Sequence, residues 1–223
     1  MTDQAIEAGL EISRKYGVAA ACIKPYSIAQ AKRVLQGSPV RICVVVGFPA
    51  GNSTISIKCT EAEEACQAIG PSHGTAEIDM VINIGKVLGG DWEYVKDEIR
   101  AVNEVVKSHN GILKVIFEND YLSTAEIVQL CHICTELQVK FVKTSTGYGF
   151  VKQQDGSYNY KGATDAHLKL MRAEAGPGVE IKAAGGVRTL DDLLRVKSLG
   201  VTRVGATATQ TILEEAKQRG IGP

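Results

Sequence analysis

Two lysines of this chain stand in matching contexts: Lys143 within FVKTSTGYG (Phe141 to Gly149) and Lys182 within VEIKAAGGVRT (Val179 to Thr189). Each ends a short apolar run of strand type, and each precedes a segment rich in Gly, Ser or Thr. A lysine at the end of a buried strand is costly, because burial opposes its charge. Two of them together fit an amine nucleophile whose proton is loosened by a cationic neighbour. Such an amine adds to a carbonyl carbon and forms a Schiff base. An ordinary lysine has a pKa of about 10.4, and bringing one to ~7 takes roughly 4–5 kcal/mol of differential stabilisation. Partial desolvation and one adjacent ammonium supply an effect of that order. In this reading Lys143 is the nucleophile, and Lys182 tunes it and helps move protons. The competing reading is that both lysines only terminate strands and point into solvent.

Asp79 lies inside the apolar run AEIDMVINIG (Ala76 to Gly85), between Ile78 and Met80. An acid in such a run faces a polar cavity or a charged partner. Between two lysines it can pass protons, directly or through water; alone it would be a structural ion pair. Three glycine segments offer backbone N–H groups to a phosphate: Gly147 after Lys143, Gly185-Gly186 after Lys182, and Gly205-Ala206-Thr207 near the end of the chain. Each of these could equally be a tight turn.

The elements that must position these groups alternate along the whole length. Strands are predicted at Val18–Lys24, Arg41–Gly47, Ala76–Asn83, Leu113–Glu118, Lys140–Thr144, Val179–Ala183 and Arg203–Gly205. Most are near-continuous apolar runs, as parallel strands covered on both faces require. Helices are punctuated by Ser27 (running to Gly37), by Asp91, by the Ser123/Glu126 capping box, by Thr164 and by Thr189. The pattern predicts an α/β fold over a single domain, residues 1–223. No G-x-G-x-x-G opens a helix after the first strand, which disfavours a dinucleotide fold. Lys24, Asp79, Asn83, Glu118, Asn119, Lys143, Lys182 and Thr207 recur toward strand C-termini, where a (β/α)8 TIM barrel gathers its active site. In such a barrel, phosphate often binds at the loops after the last two strands. Only seven strands are countable, because the chain opens on a helix (Thr2 to Tyr16). The polar stretch Lys152–Lys161 reads as a surface loop or hairpin.

Composition narrows the function classes. The 223 residues carry 25 Lys plus Arg against 25 Asp plus Glu, with 44% hydrophobic residues. A neutral balance argues against nucleic-acid and membrane-surface binding, which need a basic excess. The charged, amphipathic N-terminus is not a signal peptide, and no apolar run approaches a membrane span. Six cysteines spread over strand-like and helix-like runs suit buried free thiols in a reducing cytosol. Cys131 and Cys134 form a lone C-x-x-C, which reads as helical core rather than a metal site.

These segments resemble the deoxyribose-phosphate aldolase family. The likeness runs from about Thr2 to Gln210 through VVVGFPAGN (Val44 to Asn52), AEIDMVINIG, KVIFENDYL (Lys114 to Leu122), FVKTSTGYG, IKAAGGVRT and RVGATAT (Arg203 to Thr209). The resemblance implies a class I aldolase on a TIM barrel, in the cytoplasm. It implies reversible cleavage of 2-deoxy-D-ribose 5-phosphate to D-glyceraldehyde 3-phosphate and acetaldehyde, without metal or dissociable cofactor. By motif position Lys143 forms the imine, Lys182 tunes it, and Asp79 is the acid/base of the proton relay. Gly147, Gly185, Gly186, Thr207 and Ala208 fall where the family holds substrate phosphate, and Cys22 matches a position lining its pocket.

Three departures accompany the likeness. A first strand with an I-D-H-T-x-L type motif, which the family carries just ahead of the helix at Thr2, is absent, with its Asp and Thr. Either the chain is incomplete at its N-terminus or the barrel closes differently. The gap exposes strand edges at Val18–Lys24 and Arg203–Gly205, and it predicts association of copies into a homodimer or larger homo-oligomer. The phosphate segment reads GATAT where serine is more usual, and the tail (Arg219 to Pro223) has no terminal tyrosine. Two other readings stay open: an inactive or truncated barrel with a binding or assembly role, and another phosphate-binding barrel lyase or isomerase.

Overall fold

Outward-facing residues of the strands explain the architecture. Ile42, Val44 and Val46, then Ile78, Met80 and Ile82, then Leu113, Val115 and Phe117 alternate along their strands and are all buried. They pack beneath the helices as one continuous core. The intervening positions, among them Cys43, Glu77, Asp79, Lys114 and Lys143, share the opposite face. The main apolar core is therefore the layer between sheet and helices, and the inner face of the sheet is free to be polar.

The computed structural model describes residues 1–152 and 155–221. Gln153 and Gln154, inside the predicted Lys152–Lys161 insertion, and Gly222 and Pro223 of the tail lie outside the described residues. In chain order the elements are α1 (Asp3–Tyr16), β1 (Ala20–Ile23), α2 (Ile28–Leu35), β2 (Arg41–Val46), α3 (Ile55–Ile69), β3 (Glu77–Val81), α4 (Ile84–Leu88), α5 (Trp92–Ser108), β4 (Ile112–Ile116), α6 (Thr124–Glu136), β5 (Phe141–Lys143), β6 (Val151–Lys152), β7 (Tyr158–Asn159), α7 (Asp165–Glu174), β8 (Glu180–Ala184), α8 (Leu190–Ser198), β9 (Arg203–Gly205) and α9 (Thr209–Gln218). No helix among the described residues is long and apolar enough to cross a membrane.

Seven strands pair in parallel in the order β1-β2-β3-β4-β5-β8-β9, so all seven predicted strands are present. The predicted insertion after Lys143 is a two-stranded antiparallel hairpin of β6 and β7. The large sheet curls back on itself. Glu77 on β3 accepts hydrogen bonds from Arg41 on the neighbouring β2 at 3.3 Å and from Arg203 at 2.8 Å. Yet β9, which carries Arg203, lies four places away in the sheet. Strands β1 and β9 form the two edges, and the helix layer spans them. There α1 packs beside α9, and the Tyr16 hydroxyl donates to Glu214 at 2.5 Å.

Helix starts follow the predicted punctuation with one exception. Ser123 and Glu126 make a reciprocal capping box, Thr189 makes another with Asp192, and Asp91 and Thr164 cap α5 and α7. Ser27 does not cap α2. A 3-10 turn (Pro25–Ser27) leads straight into the helix, which leaves Ser27 at φ −95°, ψ 3° rather than in the extended conformation a capping side chain needs. Its hydroxyl is buried and makes no hydrogen bond among the described residues. The helix also stops at Leu35, short of Gly37.

One buried ion pair fixes the chain after β2. Lys58 on α3 is fully buried, and its ammonium donates to Glu98 at 2.6 Å, to Gly51 O at 2.7 Å and to Val81 O at 2.8 Å. Glu98 on α5 accepts in addition from the amide of Asn83. Gly51 (φ +70°) lies so close to β3 that an added Cβ would sit 1.9 Å from Ile82 O. The backbone of the GFPAG turn is thus pressed against the sheet and pinned by one ammonium. Burial pushes the Glu98 carboxyl up and the Lys58 ammonium down, each opposed by the other's charge. Lys58→Met leaves Glu98 buried without its cation and should cost about 3–5 kcal/mol in urea unfolding. A loss below about 1 kcal/mol would show that this turn holds without the pair.

Candidate active site

Register brings together residues that are remote in the chain. Lys114 on β4 pairs with Asp79 on β3, Ile116 with Lys143 on β5, and Lys143 with Lys182 on β8. All the charged members point inward, and Asp79 is their common partner. Its Oδ2 accepts from Lys143 Nζ at 2.8 Å and from Lys182 Nζ at 2.7 Å. Its Oδ1 accepts from Lys114 Nζ at 2.8 Å and from the Cys43 thiol at 3.1 Å. The three residues predicted to carry chemistry, Lys143, Lys182 and Asp79, therefore meet at one carboxylate. The alternative in which the lysines end their strands in solvent does not hold, since Lys143 and Lys182 are only 4% and 5% exposed.

Lys114 is the member that sequence reasoning missed as a functional group. It is fully buried and bridges Asp79 to Glu77, reaching Glu77 Oε2 at 2.8 Å. Five cations (Arg41, Lys114, Lys143, Lys182 and Arg203) thus surround two carboxylates on the inner face. Burial acts to raise the Asp79 carboxyl, but the ammoniums of Lys114, Lys143 and Lys182 outweigh it and hold the group well below the usual carboxylate range. Burial likewise opposes the charges of Lys114 and Lys182, and Asp79 overcomes it in both, so both ammoniums hold their protons more tightly than a free lysine.

The loops at the strand C-termini are tied to one another. Glu118, just past β4, has a left-handed backbone (φ 59°), and its carboxylate accepts from the Thr146 amide at 3.1 Å and from the Thr146 hydroxyl. This fixes the TSTGYG loop after Lys143, where Gly147 has φ +84°. Ser145 is buried beside Gly185, and its hydroxyl finds no partner among the described residues. Gly185 and Gly186 follow β8 with φ +86° and +84°. Thr207 and Ala208 follow β9, and Ala208 stands at the start of α9 with no side chain capping that end. Because Ala184 pairs with Gly205, the last two loops leave the sheet side by side.

Cys22 lies directly opposite Cys43 in the register of β1 and β2, on the inner face of the sheet. It corrects the expectation of buried thiols: Cys22 retains exposed surface. Its position on an edge strand accounts for that. Cys131 and Cys134 are buried in α6, as the core reading predicts. A groove between α2 and α3, lined by Tyr26, Lys32 and Glu61, contains none of the three lysines or Asp79.

An inward-facing lysine cluster around one carboxylate, on the inner face of a curled parallel sheet with helices outside, is the arrangement of a barrel-type aldolase. The family model for DeoC/LacD family aldolases matches residues 2–209. The chain belongs to that family. It is 42% identical over 219 residues to a deoxyribose-phosphate aldolase of Rhodopirellula baltica, covering 98% of this chain and 85% of the relative. It is 41% identical over 222 residues to one from Caldanaerobacter subterraneus, covering 99% of this chain and 90% of the relative. Among solved structures, the aldolase QR15 superposes with a TM-score of 0.85 at 28% identity, over 99% of this chain and 91% of that one. The deoxyribose phosphate aldolase of Aeropyrum pernix, described as a tetramer, gives 0.83 at 24% identity over 98% and 86%, which speaks to the fold.

The geometry makes Asp79 the keystone of stability as well. Asp79→Asn leaves the buried ammoniums of Lys143 and Lys182 without their carboxylate and Lys114 with Glu77 alone, with an expected loss of about 3–5 kcal/mol near neutral pH. A depressed carboxyl stabilises the fold above its unfolded value of about 3.9 and loses that contribution as pH falls through the folded value. Urea titrations should therefore show a constant gap between wild type and Asp79→Asn from about pH 6 to 8 that narrows below about pH 4. A gap that persists undiminished at about pH 3 would place the stabilisation elsewhere.

Proposed function

We propose that the chain is a deoxyribose-phosphate aldolase, which reversibly cleaves 2-deoxy-D-ribose 5-phosphate to D-glyceraldehyde 3-phosphate and acetaldehyde through an imine on Lys143. The observation that carries this reading is that Lys143 and Lys182 share one oxygen of Asp79. Of the three lysines, Lys114 is fully buried between two carboxylates and out of a substrate's reach. Lys182 is held cationic by Asp79. Lys143 remains as the nucleophile, with the TSTGYG loop immediately after it.

In the cleavage direction, Lys143 Nζ adds to the C1 aldehyde of the open-chain sugar, and loss of water gives a protonated imine. The imine keeps a positive charge next to Asp79, so the carboxylate is paired before and after this step. Loss of the C3 hydroxyl proton breaks the C2–C3 bond. The bonding electrons move into the iminium, which gives an enamine and releases D-glyceraldehyde 3-phosphate. The enamine takes a proton at C2, and hydrolysis releases acetaldehyde and restores Lys143. Lys182 and Asp79 form the relay, since both nitrogens bond the same oxygen and a proton can pass between them through it.

The phosphate belongs at Gly185, Gly186, Thr207 and Ala208, with Gly147 and Ser145 at the near side. Two glycines with positive φ and the uncapped start of α9 supply outward-facing amides for an anion. These loops begin about two residues, or ~7 Å, beyond Lys182 along the strand, a span comparable to a five-carbon sugar. Cys22 lines the wall opposite. The resident chemistry uses no metal or dissociable cofactor in this reading. The two sheet edges at β1 and β9 favour a homo-oligomer in which another copy covers them, and the protein works in the cytoplasm. An inactive barrel is disfavoured by the complete lysine–aspartate constellation.

Borohydride reduction in the presence of acetaldehyde should fix one ethyl group on Lys143, read by intact mass and peptide mapping. Lys143→Arg should abolish the adduct, and Lys182→Leu should lower kcat by about 10²–10⁴-fold with a smaller change in KM. A folded chain that gives no adduct, or one confined to Lys182, would sink the assignment. Turnover of other sugar phosphates in preference to 2-deoxyribose 5-phosphate would point to a different barrel lyase.

A further inference from the structure

Cys22 and Cys43 are register partners on adjacent parallel strands, β1 and β2, with their side chains on the inner face of the sheet. Neighbouring strands stand about 4.8 Å apart, inside the roughly 4.4–6.8 Å window of Cα separations that a disulfide spans. The two sulfurs and the nearest Asp79 oxygen all lie within 4.8 Å of one another. Register and side-chain direction thus already bring the two sulfurs close together. Both residues are free thiols, and Cys22 keeps exposed surface by which a small oxidant can reach it.

The surroundings favour thiolate chemistry over metal binding. Cys43 Sγ accepts from Lys114 Nζ at 3.3 Å, and the charges of Lys143 and Lys182 act on Cys22. When the single Cys43 S–H turns from Asp79 to the Cys22 sulfur, that hydrogen bond, against burial, brings the Cys22 thiol down to about 6 and pushes Cys43 well above its ordinary value, so the pair gives up one proton readily and holds the other. A divalent cation held by Cys22, Cys43 and Asp79 would instead sit against three ammoniums already bonded to Asp79. A peroxide meets no such obstacle.

We propose that Cys22 and Cys43 form an oxidative modification site, a dithiol that hydrogen peroxide closes to a disulfide in the wall of the lysine cavity. The Cys22 thiolate attacks one peroxide oxygen; the O–O bond breaks, hydroxide leaves and takes up a proton as water, and Cys22 becomes a sulfenic acid. The Cys43 sulfur then attacks the Cys22 sulfur. An S–S bond forms, the S–OH bond breaks, and the second oxygen leaves as water with the Cys43 proton. Two thiols lose two electrons and two protons in all, and an external dithiol reverses the step by exchange. Closure removes the S–H that Cys43 donates to Asp79 Oδ1 and leaves Lys114 as the partner of that oxygen. The modification therefore acts on the carboxylate that holds Lys143 and Lys182. This last consequence rests on the aldolase reading, whereas the covalent chemistry does not.

The test is oxidation of the purified protein with stoichiometric hydrogen peroxide, quenched and analysed by intact mass and by non-reducing peptide mapping. The expected product has lost two hydrogens, carries a Cys22–Cys43 cross-linked peptide, and returns to the starting mass with dithiothreitol. Cys43→Ser should lose no hydrogens and should instead label at Cys22 with a sulfenic-acid trap. Cys22→Ser should give neither product. The proposal is overturned by a cross-link that maps to Cys131–Cys134 or to two chains, or by Cys22 stopping at sulfenic acid in the wild type. If the aldolase reading also holds, turnover falls in step with the cross-linked fraction and recovers with dithiothreitol. Cross-linking without loss of measured turnover would retain the site and remove its link to Asp79.

Discussion

The carboxylate of Asp79 is the constraint on which the inner face of this sheet depends. Two ammoniums about 5 Å apart repel by roughly 3 kcal/mol at an effective dielectric constant of 20, and three of them share this one group. Without it their burial would not be tolerated. Its position is set by a small piece of sequence. Glu77 and Asp79 lie two residues apart on β3 and so face the same way, while Ile78 and Met80 between and beside them enter the outer core. A slip of one residue in β3 would send both acids into the helix layer and bring methionine and isoleucine to face the lysines. Register and charge pairing thus specify each other.

Curling of the sheet is sustained from two sides. Inside, Glu77 bonds Arg203 across four strand positions. Outside, α1 against α9 completes the helix layer over the edges of β1 and β9. Neither device requires a continuous ring of strand hydrogen bonds. The lysines that matter stand on β4, β5 and β8, none of them an edge strand, while edge strand β1 brings Cys22 within 4.8 Å of an Asp79 oxygen. On the edge strands, the inner face carries Cys22 on β1 and Arg203 on β9.

Much of this was legible in the chain because it is local. An apolar run bounded by turn residues marks a strand, and a capping serine or threonine three residues before an acid marks a helix start, as Ser123 and Thr189 both do. Lys143, Lys182 and Asp79 stand out because a charge in a buried run has no cheap explanation. Lys114 satisfies the same criterion, yet within LKVI it reads as one polar position of an ordinary alternation; its importance appears only when β4 is laid against β3. Glu77 hides for the same reason, since its partners Arg41 and Arg203 are 36 and 126 residues away. The pairing of Cys22 with Cys43 is likewise a fact of register. Ser27 misled because a capping side chain acts only from extended backbone, and that dihedral is set by the 3-10 turn before it.

Both proposed chemistries, the imine and the disulfide, draw on the same charged cavity. Asp79 keeps Lys114 and Lys182 protonated against their burial, so the positive charge beside Lys143 is in place before any aldehyde arrives. Five cations around two carboxylates also favour an anionic substrate in this cavity. The field cannot be tuned for one of these without affecting the others. Replacing Lys114 would remove the donor to the Cys43 sulfur and also one of the two donors to Asp79 Oδ1, on the carboxylate that Lys143 and Lys182 share. The proposed dithiol and the proposed relay share Asp79, so neither can be altered without disturbing the other.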